Sequence, residues 1–285
     1  MISLRTCLVA MFVLVMVLSY SMASAAVISH WRFEEGTADG VASGLVIEDS
    51  VGGYTADADG GTSLRYRSDV PSVTNGSAST LSLEFDGSND SVTAPTDDVF
   101  GPASMTVEVF FKTDRIDKRQ IIVSANGNGD WLLEIGSNGA LDGLVSTRSG
   151  PLHVFGHDVI QADVWYFAAM TYDSAKGVCK IYLAEPGGDA MLYAIGKNTP
   201  DATLVWSSFK RVLIGHKLEG DVDSFDGHID EVRFSSHVMN ASEMLVAGIS
   251  LPADLNEDGV VNMADFALFA NGWLLCNMPD PNNCP

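Results

Sequence analysis

The feature that most constrains the fold is a period of two in short apolar runs, repeated from residue 26 to about residue 249. In residues 105–111 the odd positions are Met, Val, Val and Phe, while Thr106, Glu108 and Lys112 fall on the other side. This alternation is typical of a strand with one buried face, so we expect these three polar side chains to face solvent. Gly, Asn, Asp and Pro separate the runs, as turns require. The clearest predicted strands cover residues 27–34, 81–85, 105–112, 120–124, 131–135, 165–172, 178–183, 212–214 and 229–234.

The spacing of these runs, with no long helical pattern among them, indicates how the strands pack. Strands with one apolar face become stable when two antiparallel sheets bury a shared core. We therefore predict a mainly β protein, with one antiparallel sandwich over residues 26–250, a usual size for such a domain. A short helix is expected over residues 240–248, with Asn240 as its N-cap and Glu243 three residues later.

The first 25 residues have the three parts of a secretory signal peptide. Arg5 precedes an apolar stretch over residues 7–18, and Ala-Ser-Ala follows at 23–25. The stretch is shorter than the roughly 20 apolar residues that a transmembrane helix needs. We predict cleavage after Ala25 and a secreted or cell-surface protein. An uncleaved membrane anchor is the alternative.

Acidic residues outnumber basic ones, 37 to 16, and the formal net charge is −21. Removing the signal peptide takes away Arg5 and makes the charge one unit more negative. Such acidity argues against nucleic acid or anionic membrane as partners, and no membrane insertion is expected after signal cleavage. It is compatible with an extracellular protein that binds divalent cations.

Residues 254–265 have the ligand spacing of a twelve-residue calcium loop. Side-chain oxygens recur at alternate positions, Gly259 lies where the loop must bend, and a helical pattern follows over residues 263–275. Six or more oxygen ligands suit a hard cation such as Ca²⁺. The alternative is an acidic surface turn. The predicted ligands are Asp254, Asn256, Asp258, the carbonyl of Val260, Asn262 and Asp265.

Three cysteines remain after the signal peptide. Cys276 and Cys284 close a short loop that contains two prolines, and export makes a disulfide between them compatible with the compartment. Cys179 lies in a strand-like run and shares its side with Ile181 and Leu183. We expect Cys179 to pack as a small buried apolar side chain.

Five motifs in order resemble the laminin G-like domains of the concanavalin A-like lectin/glucanase superfamily. They are HWRFEEG at 30–36, LEFDGSNDSV at 83–92, residues 105–112, residues 165–173 and FDGHIDEVRF at 225–234. The resemblance implies a jelly-roll sandwich of roughly a dozen strands. It also implies binding, often of carbohydrate and often assisted by calcium, rather than one fixed activity.

Residues 253–275 resemble one half of a dockerin, which carries two calcium loop–helix repeats. Only one repeat is present here, in the tail over residues 251–285. The resemblance implies docking to a cohesin-like or cell-surface protein. Apolar residues recur at helical spacing in the tail, and we expect them to pack on their own domain, with a docking face as the alternative. They are Phe266, Phe269, Ala270, Trp273 and Leu274.

No pattern in the sandwich indicates catalysis. Retaining glucanases of the same superfamily need two carboxylates about 5 Å apart, on alternate positions of one strand. The nearest candidate has Arg233 two residues after Glu231, and we expect these two to pair on the solvent face. The leading interpretation is an exported, non-catalytic protein that binds a glycan or polysaccharide. A polysaccharide-degrading glycoside hydrolase and a cell-envelope adhesion protein are the alternatives.

Two further expectations concern single side chains. Asp230 shares strand parity with core residues, so its carboxylate needs a partner. We predict a second calcium held by Asp230 and Asp49, with Asp90 as a weaker candidate, and bonding to loop amides as the alternative. Sugar binding would also need exposed aromatic rings. Tyr54, Tyr66, Trp131, Tyr193 and Trp206 are available, while Trp31 and Trp165 are expected in the core.

Overall fold

The computed structural model describes residues 27–125, 130–157, 159–185, 187–206, 210–216, 223–246, 253–256 and 261–272. Strands dominate these residues, and their ladders are antiparallel. The strands are β1 (Val27–Trp31), β2 (Val46–Ile47), β3 (Ala56–Asp59), β4 (Arg65–Arg67), β5 (Ser82–Asp86), β6 (Ser91–Thr93), β7 (Met105–Thr113), β8 (Gln120–Ala125), β9 (Trp131–Ile135), β10 (Leu141–Thr147), β11 (Gly150–Val154), β12 (Trp165–Asp173), β13 (Val178–Ala184), β14 (Met191–Lys197), β15 (Val212–Ile214) and β16 (Asp226–Ser235).

The strands form two eight-stranded sheets. The first sheet has the order β14-β13-β12-β7-β16-β5-β4, and β1 also pairs with β16. The second sheet has the order β11-β10-β9-β8-β15-β6-β3-β2. The inner faces of both sheets share one buried apolar cluster. The predicted antiparallel sandwich is confirmed, and the arrangement is that of a jelly roll.

Aromatic rings join the two sheets at the centre of the core. The ring of Trp131 on β9 stacks on Phe234 of β16, with centroids 5.9 Å apart, and Phe234 in turn lies 5.6 Å from Phe100. Trp31 of β1 stacks on the other side of Phe100 at 6.1 Å. Such offset ring contacts add stabilisation beyond that of apolar burial, about 0.5–1.5 kcal/mol per pair. Strands from both ends of the sequence are thus held together.

All nine predicted strands are present. β9 and β15 have the predicted bounds, and the other seven differ at one or both ends. The strand predicted over residues 27–34 ends early, at Trp31, because Phe33 adopts a φ of +57°, in the left-handed region that a strand excludes.

Part of the outer face of the first sheet is covered by other segments of the chain, although the sequence pattern predicted that this face would be exposed to solvent. Thr106 and Glu108 are fully buried rather than exposed. The cover is the segment 236–246, here called the strap, which follows β16. Its Met244, Leu245 and Val246 pack on outward side chains of the sheet, in a second apolar cluster that includes Phe110 and Phe167. The loop between β4 and β5, residues 68–81, adds Val73 to this cluster.

Short helical segments complete the described structure, among them a 3₁₀ turn over Asp98–Phe100 before β7. Ala241–Glu243 is a single 3₁₀ turn within the strap, capped by a hydrogen bond from the backbone N–H of Asn240 to Glu243 Oε2 at 3.1 Å. The predicted cap is therefore correct, although the helix is shorter than expected. In the tail, α1 covers Met263–Gly272 and begins where predicted. No helix among the described residues has the length and apolar character needed to span a bilayer.

Candidate functional site

One row of side chains crosses five strands on the outer face of the first sheet. Trp165 of β12 is paired with Lys112 of β7, and Lys112 is paired with His228 of β16. The row continues through Glu84 of β5 to Arg65 of β4. Residues paired across an antiparallel ladder point to the same face, so the strand register alone collects this mixture of aromatic and charged groups.

Trp165 is partly exposed, and neighbouring groups fix its indole ring. The Nε1–H of Trp165 donates a hydrogen bond to Asp69 Oδ1 at 2.8 Å. The ammonium of Lys112 lies 6.0 Å from the centre of the ring and also pairs with Asp69. The imidazole of His228 meets the indole edge-on, with centroids 6.0 Å apart. The orientation of the indole is therefore set before any ligand arrives.

The indole lines a small open cleft between the β4–β5 loop, the strap and the turn after β13. The expectation that Trp165 belongs to the core holds only in part. Trp165 lies on the outer face of β12, where it packs partly buried against the second apolar cluster and lines this cleft. Ser72, Thr74 and Glu185 are the polar residues that line the same cleft. The other described lining residues are Pro71, Phe110, Tyr166, Phe167, Gly187, Gly188 and Val246.

Burial and hydrogen bonding set the charge states next to the cleft. Burial opposes ionisation of Asp69, but the hydrogen bonds from Lys112 and Trp165 outweigh it, and the pKa of Asp69 lies below its usual value. Burial, together with the nearby Lys112 ammonium, lowers the pKa of His228. Near neutral pH the group beside the indole is thus an ion pair with a neutral imidazole.

Asp230 and Glu231 of β16 lie outside the cleft and are buried. A bulge between Asp230 and Arg233 interrupts the β7 ladder, and Glu231 adopts a φ of +51° there. Glu231 is 1% exposed and pairs with Arg32 at 2.8 Å. Arg233 pairs instead with Glu108. The predicted pairing of Glu231 with Arg233 on the solvent face is wrong, because the bulge breaks the alternation between them and each pairs with a different partner.

A sequence model described as the concanavalin A-like lectin/glucanases superfamily matches residues 86–244, more than half of the chain. The chain belongs to this superfamily. β1 to β4 lie before the matched range and complete the same two sheets.

Solved structures of similar fold include members of several protein classes. The carbohydrate-binding module of the Ruminococcus gnavus IT-sialidase, bound to α2,3 sialyllactose, is 18% identical, covers 53% of this chain and 85% of its own, and has a TM-score of 0.44. Trypanosoma rangeli sialidase is 13% identical over 77% of this chain and 32% of its own, with a TM-score of 0.49. The binding domain of botulinum neurotoxin serotype D is 14% identical over 75% and 49%, with a TM-score of 0.48. No residue role is carried over from them. Among curated proteins, none matches the sequence.

The five aromatic residues that were expected to be available for sugar binding are buried or partly buried. Tyr66 and Trp131 are fully buried in the core. Tyr54, Tyr193 and Trp206 are partly buried against it. The sequence pattern did not show that Trp165 would line the open cleft. Apolar residues fill both faces of β12, so its period does not reveal which side is open.

Asp49 and Asp230 are satisfied by different groups. The carboxylate of Asp49 accepts four backbone N–H bonds, from His30, Val51, Gly52 and Tyr54, at 2.9–3.1 Å. Burial opposes its charge, but these bonds lower its pKa.

Asp230 is fully buried and accepts hydrogen bonds from Ser79 Oγ at 2.6 Å and from the N–H of Glu231 at 2.7 Å. Burial raises its pKa well above the usual value. Within the described residues, no group of three or more His, Cys, Asp and Glu side chains is arranged to hold a metal. The second calcium stays a prediction.

Asp90, the weaker candidate, lies in a different place, at the turn after β5. It is 1% exposed and accepts hydrogen bonds from Ser63 Oγ at 2.8 Å and from the N–H of Asp86 at 2.9 Å. Burial raises the pKa of Asp90 to about 6. Its described contacts are those of a carboxyl group that holds two loops together.

In the tail, the carboxylate of Asp265 joins the two ends of the predicted calcium loop. Oδ1 accepts the N–H groups of Leu255 and Asn256 at 2.8 and 3.2 Å, and Oδ2 accepts the N–H of Asn262 at 2.8 Å. These bonds, that from Asn262 foremost, lower the pKa of Asp265. The predicted ligands are all oxygen donors, which Ca²⁺ prefers. Asp258 and Val260 lie outside the described residues.

The apolar stripe of the tail helix is expected to pack on its own domain, but two of its described aromatic side chains are largely exposed. Phe266 is 57% exposed and Phe269 is 45% exposed, although their rings contact each other at 6.4 Å. Trp273, Leu274, Cys276 and Cys284 lie outside the described residues. Cys179, by contrast, is buried as predicted, and burial raises its pKa to about 12.

Proposed function

We propose that this protein is an exported, non-catalytic carbohydrate-binding protein and that the cleft at Trp165 holds the sugar. One observation carries the proposal. Trp165, whose partly exposed indole is held by Asp69, lines an open cleft together with Ser72 and Thr74.

A sugar ring has one face of C–H groups and a rim of hydroxyls. Its binding site therefore needs a flat apolar surface next to a few polar groups. The indole of Trp165 provides the surface, and the hydrogen bond to Asp69 holds it in place before binding. An aromatic group that is ordered in advance loses little entropy when the ligand arrives. The cleft thus has the parts that a small carbohydrate site requires.

The affinity for one sugar unit should be low. The cleft is small and open, so the contacts are few, and we expect dissociation constants of about 10 μM to 1 mM. Affinity for a polymer can be higher when several copies bind one chain.

A glycan array, followed by calorimetry on the glycans that bind, tests the proposal. Trp165→Ala should abolish binding. Phe155→Ala is the matched control, since Phe155 is 72% exposed and follows β11 in the other sheet, away from the cleft. Binding that survives Trp165→Ala, or an array without any bound glycan, would show that the cleft is not a sugar site.

The alternative of a glycoside hydrolase has less support. Its acid pair must reach the glycosidic bond. The adjacent acids Asp230 and Glu231 are 0% and 1% exposed and are held by Ser79 and Arg32. Assay of the purified protein on β-glucans checks this point, and release of reducing sugar would favour the hydrolase.

The tail is proposed as a calcium-stabilised attachment module that docks on a cohesin-like or cell-surface protein. Export through residues 1–25, calcium in the loop over residues 254–265 and a Cys276–Cys284 disulfide belong to the same proposal. The exposed Phe266 and Phe269 support a docking role, because their rings contact each other, and contiguous exposed apolar surface marks interaction sites. Calcium calorimetry on the full mature chain, with Asp258→Ala as the variant, tests the metal. Unchanged heats in that variant would contradict it.

A further inference from the structure

The charges around the Trp165 cleft limit the kind of sugar that it can hold. Among the described residues that line the cleft, Glu185 carries a charge, and it is exposed. The remaining described lining groups are apolar, hydroxyl or glycine. A bound sugar therefore meets one carboxylate and no cation from this lining.

The cations nearest to the indole are already neutralised. The ammonium of Lys112 pairs with Asp69, whose other oxygen accepts the indole N–H. If Lys112 turned to a ligand, it would leave the Asp69 carboxylate without its counter-ion, next to the same ligand. Lys112 is also 12% exposed, so little of its side chain can reach solvent.

Another cation on this face, Arg67, is also paired with carboxylates. Arg67 of β4 pairs with Glu84 at 2.6 Å and with Asp39. Arg65, which ends the row on β4, donates to the backbone carbonyl of Asp39 at 2.9 Å. Lys112 and Arg67 thus each have a carboxylate partner. The protein as a whole carries a formal charge of −21.

We infer that the Trp165 cleft selects neutral sugars and excludes sugars that carry a carboxylate or a sulfate. The inference rests on the proposed function and names its substrate class. An anionic sugar must lose water from its charge, and this loss is offset only by an Arg or Lys free to bind it. Here Lys112 and Arg67 are already paired with carboxylates. Glu185 and the negative net charge of the protein repel an anionic sugar.

The test uses matched pairs of glycans, each neutral chain beside its uronic, sialylated or sulfated form, measured by calorimetry. The neutral member should bind at least about tenfold more tightly at about 20 mM salt, and the difference should shrink at about 500 mM, where repulsion between exposed charges is screened. The affinity of the neutral member should hardly change with salt.

Two variants connect the selectivity to these residues. The readout for both variants is the ratio of the two affinities, since Glu185 lines the cleft and Asp69 holds the indole. Glu185→Gln should reduce this ratio by removing repulsion of the anionic member, and Asp69→Asn should reduce it by releasing Lys112. Asp57→Asn, at an exposed acid of β3, is the control that should change the affinity for neither member.

The outcomes are distinct. Anionic members that bind as tightly as neutral ones at low salt, with binding lost in Trp165→Ala, would overturn the selectivity and leave the sugar site in place. If Trp165→Ala still bound both members of a pair, the proposed site itself would be wrong.

Discussion

Glu108 and Arg233, 125 positions apart in the chain, form a two-pronged ion pair beneath the strap, with Nε–Oε2 and Nη2–Oε1 distances of 2.5 and 2.8 Å. The same pair holds the strap. Glu108 Oε1 accepts the N–H of Leu245 at 2.8 Å, and Arg233 donates to the carbonyl of Glu243 at 3.0 Å. One buried carboxylate therefore joins β7, β16 and the cover of the first sheet.

Glu108→Ala should destabilise the sandwich strongly. Its removal leaves the Arg233 guanidinium mostly buried without a counter-ion, and breaking a buried pair in this way lowers the free energy of unfolding by about 3–5 kcal/mol. Denaturant titration measures the loss. Asp98→Ala is the matched control, because Asp98 pairs with Lys210 on the open surface and its loss should have a small effect. Equal losses in the two variants would contradict the role given to Glu108.

Asp90 should make stability depend on pH in the opposite sense from an ordinary surface acid. Its folded pKa, about 6, lies above its usual value of 3.8. Between these values the folded protein keeps a proton that the unfolded chain has released. Its contribution to stability is therefore complete below the usual value and is lost as the pH rises through about 6.

Asp90→Asn removes this dependence, since an amide can donate to Ser63 Oγ and still accept the N–H of Asp86. The difference in unfolding free energy between variant and parent should shift by about 2–3 kcal/mol in favour of the variant from pH 4 to pH 7. Urea titrations across that range measure it. For Asp57→Asn, at an exposed site, the unfolding free energy should vary with pH as it does in the parent. A parallel curve for Asp90→Asn as well would show that Asp90 loses its proton normally.

Chelation of calcium should loosen the tail and leave the sandwich folded. Hydrogen exchange should become faster at Leu255, Asn256 and Asn262, whose N–H groups bond to Asp265, while β7 and β16 keep their protection. Asp265→Ala should reproduce the faster exchange even with calcium present. No change in the tail after chelation would argue that the loop needs no metal for its order.

Cys179 should be unreactive until the sandwich unfolds. Its thiol is fully buried, with a pKa of about 12, so both access and the thiolate form are lacking near neutral pH. In the mature Cys276→Ser, Cys284→Ser chain, a thiol reagent should label nothing in the folded state and one group in denaturant. Ala175→Cys, in the exposed turn between β12 and β13, should add one fast-reacting thiol. Fast labelling without that substitution would place Cys179 at the surface.

The sequence predicted the sandwich because burial on the inner face follows local periodicity. Met105, Val107, Val109 and Phe111 are all buried, as the alternation on β7 required. Seven further strands were not predicted. β3 and β6 are short and polar, β2 has two residues, and β10 and β14 contain glycine, so their periodic signal is weak. Their strand character comes from pairing partners far away in the chain.

The candidate site could not be read from the sequence for the same reason. Both faces of β12 are apolar, so its period does not tell which side holds Trp165 or what covers it. The strap and the β4–β5 loop decide that, and their contacts to β7 and β12 span more than ninety positions. The sequence showed that Glu108 is polar. It did not show that Glu108 would be buried, because the arginine that neutralises it lies far away in the chain.

The strap also sets the reach of the whole protein. Val246, its last described residue, lines the cleft, and only six residues separate it from Ala253 at the start of the described tail. Even a fully extended chain of that length spans at most about 25 Å. A molecule attached through its tail would therefore search for sugar only within a short radius of its tether. Ligands close to the anchor would meet the cleft at high effective concentration, and distant ones would not meet it at all.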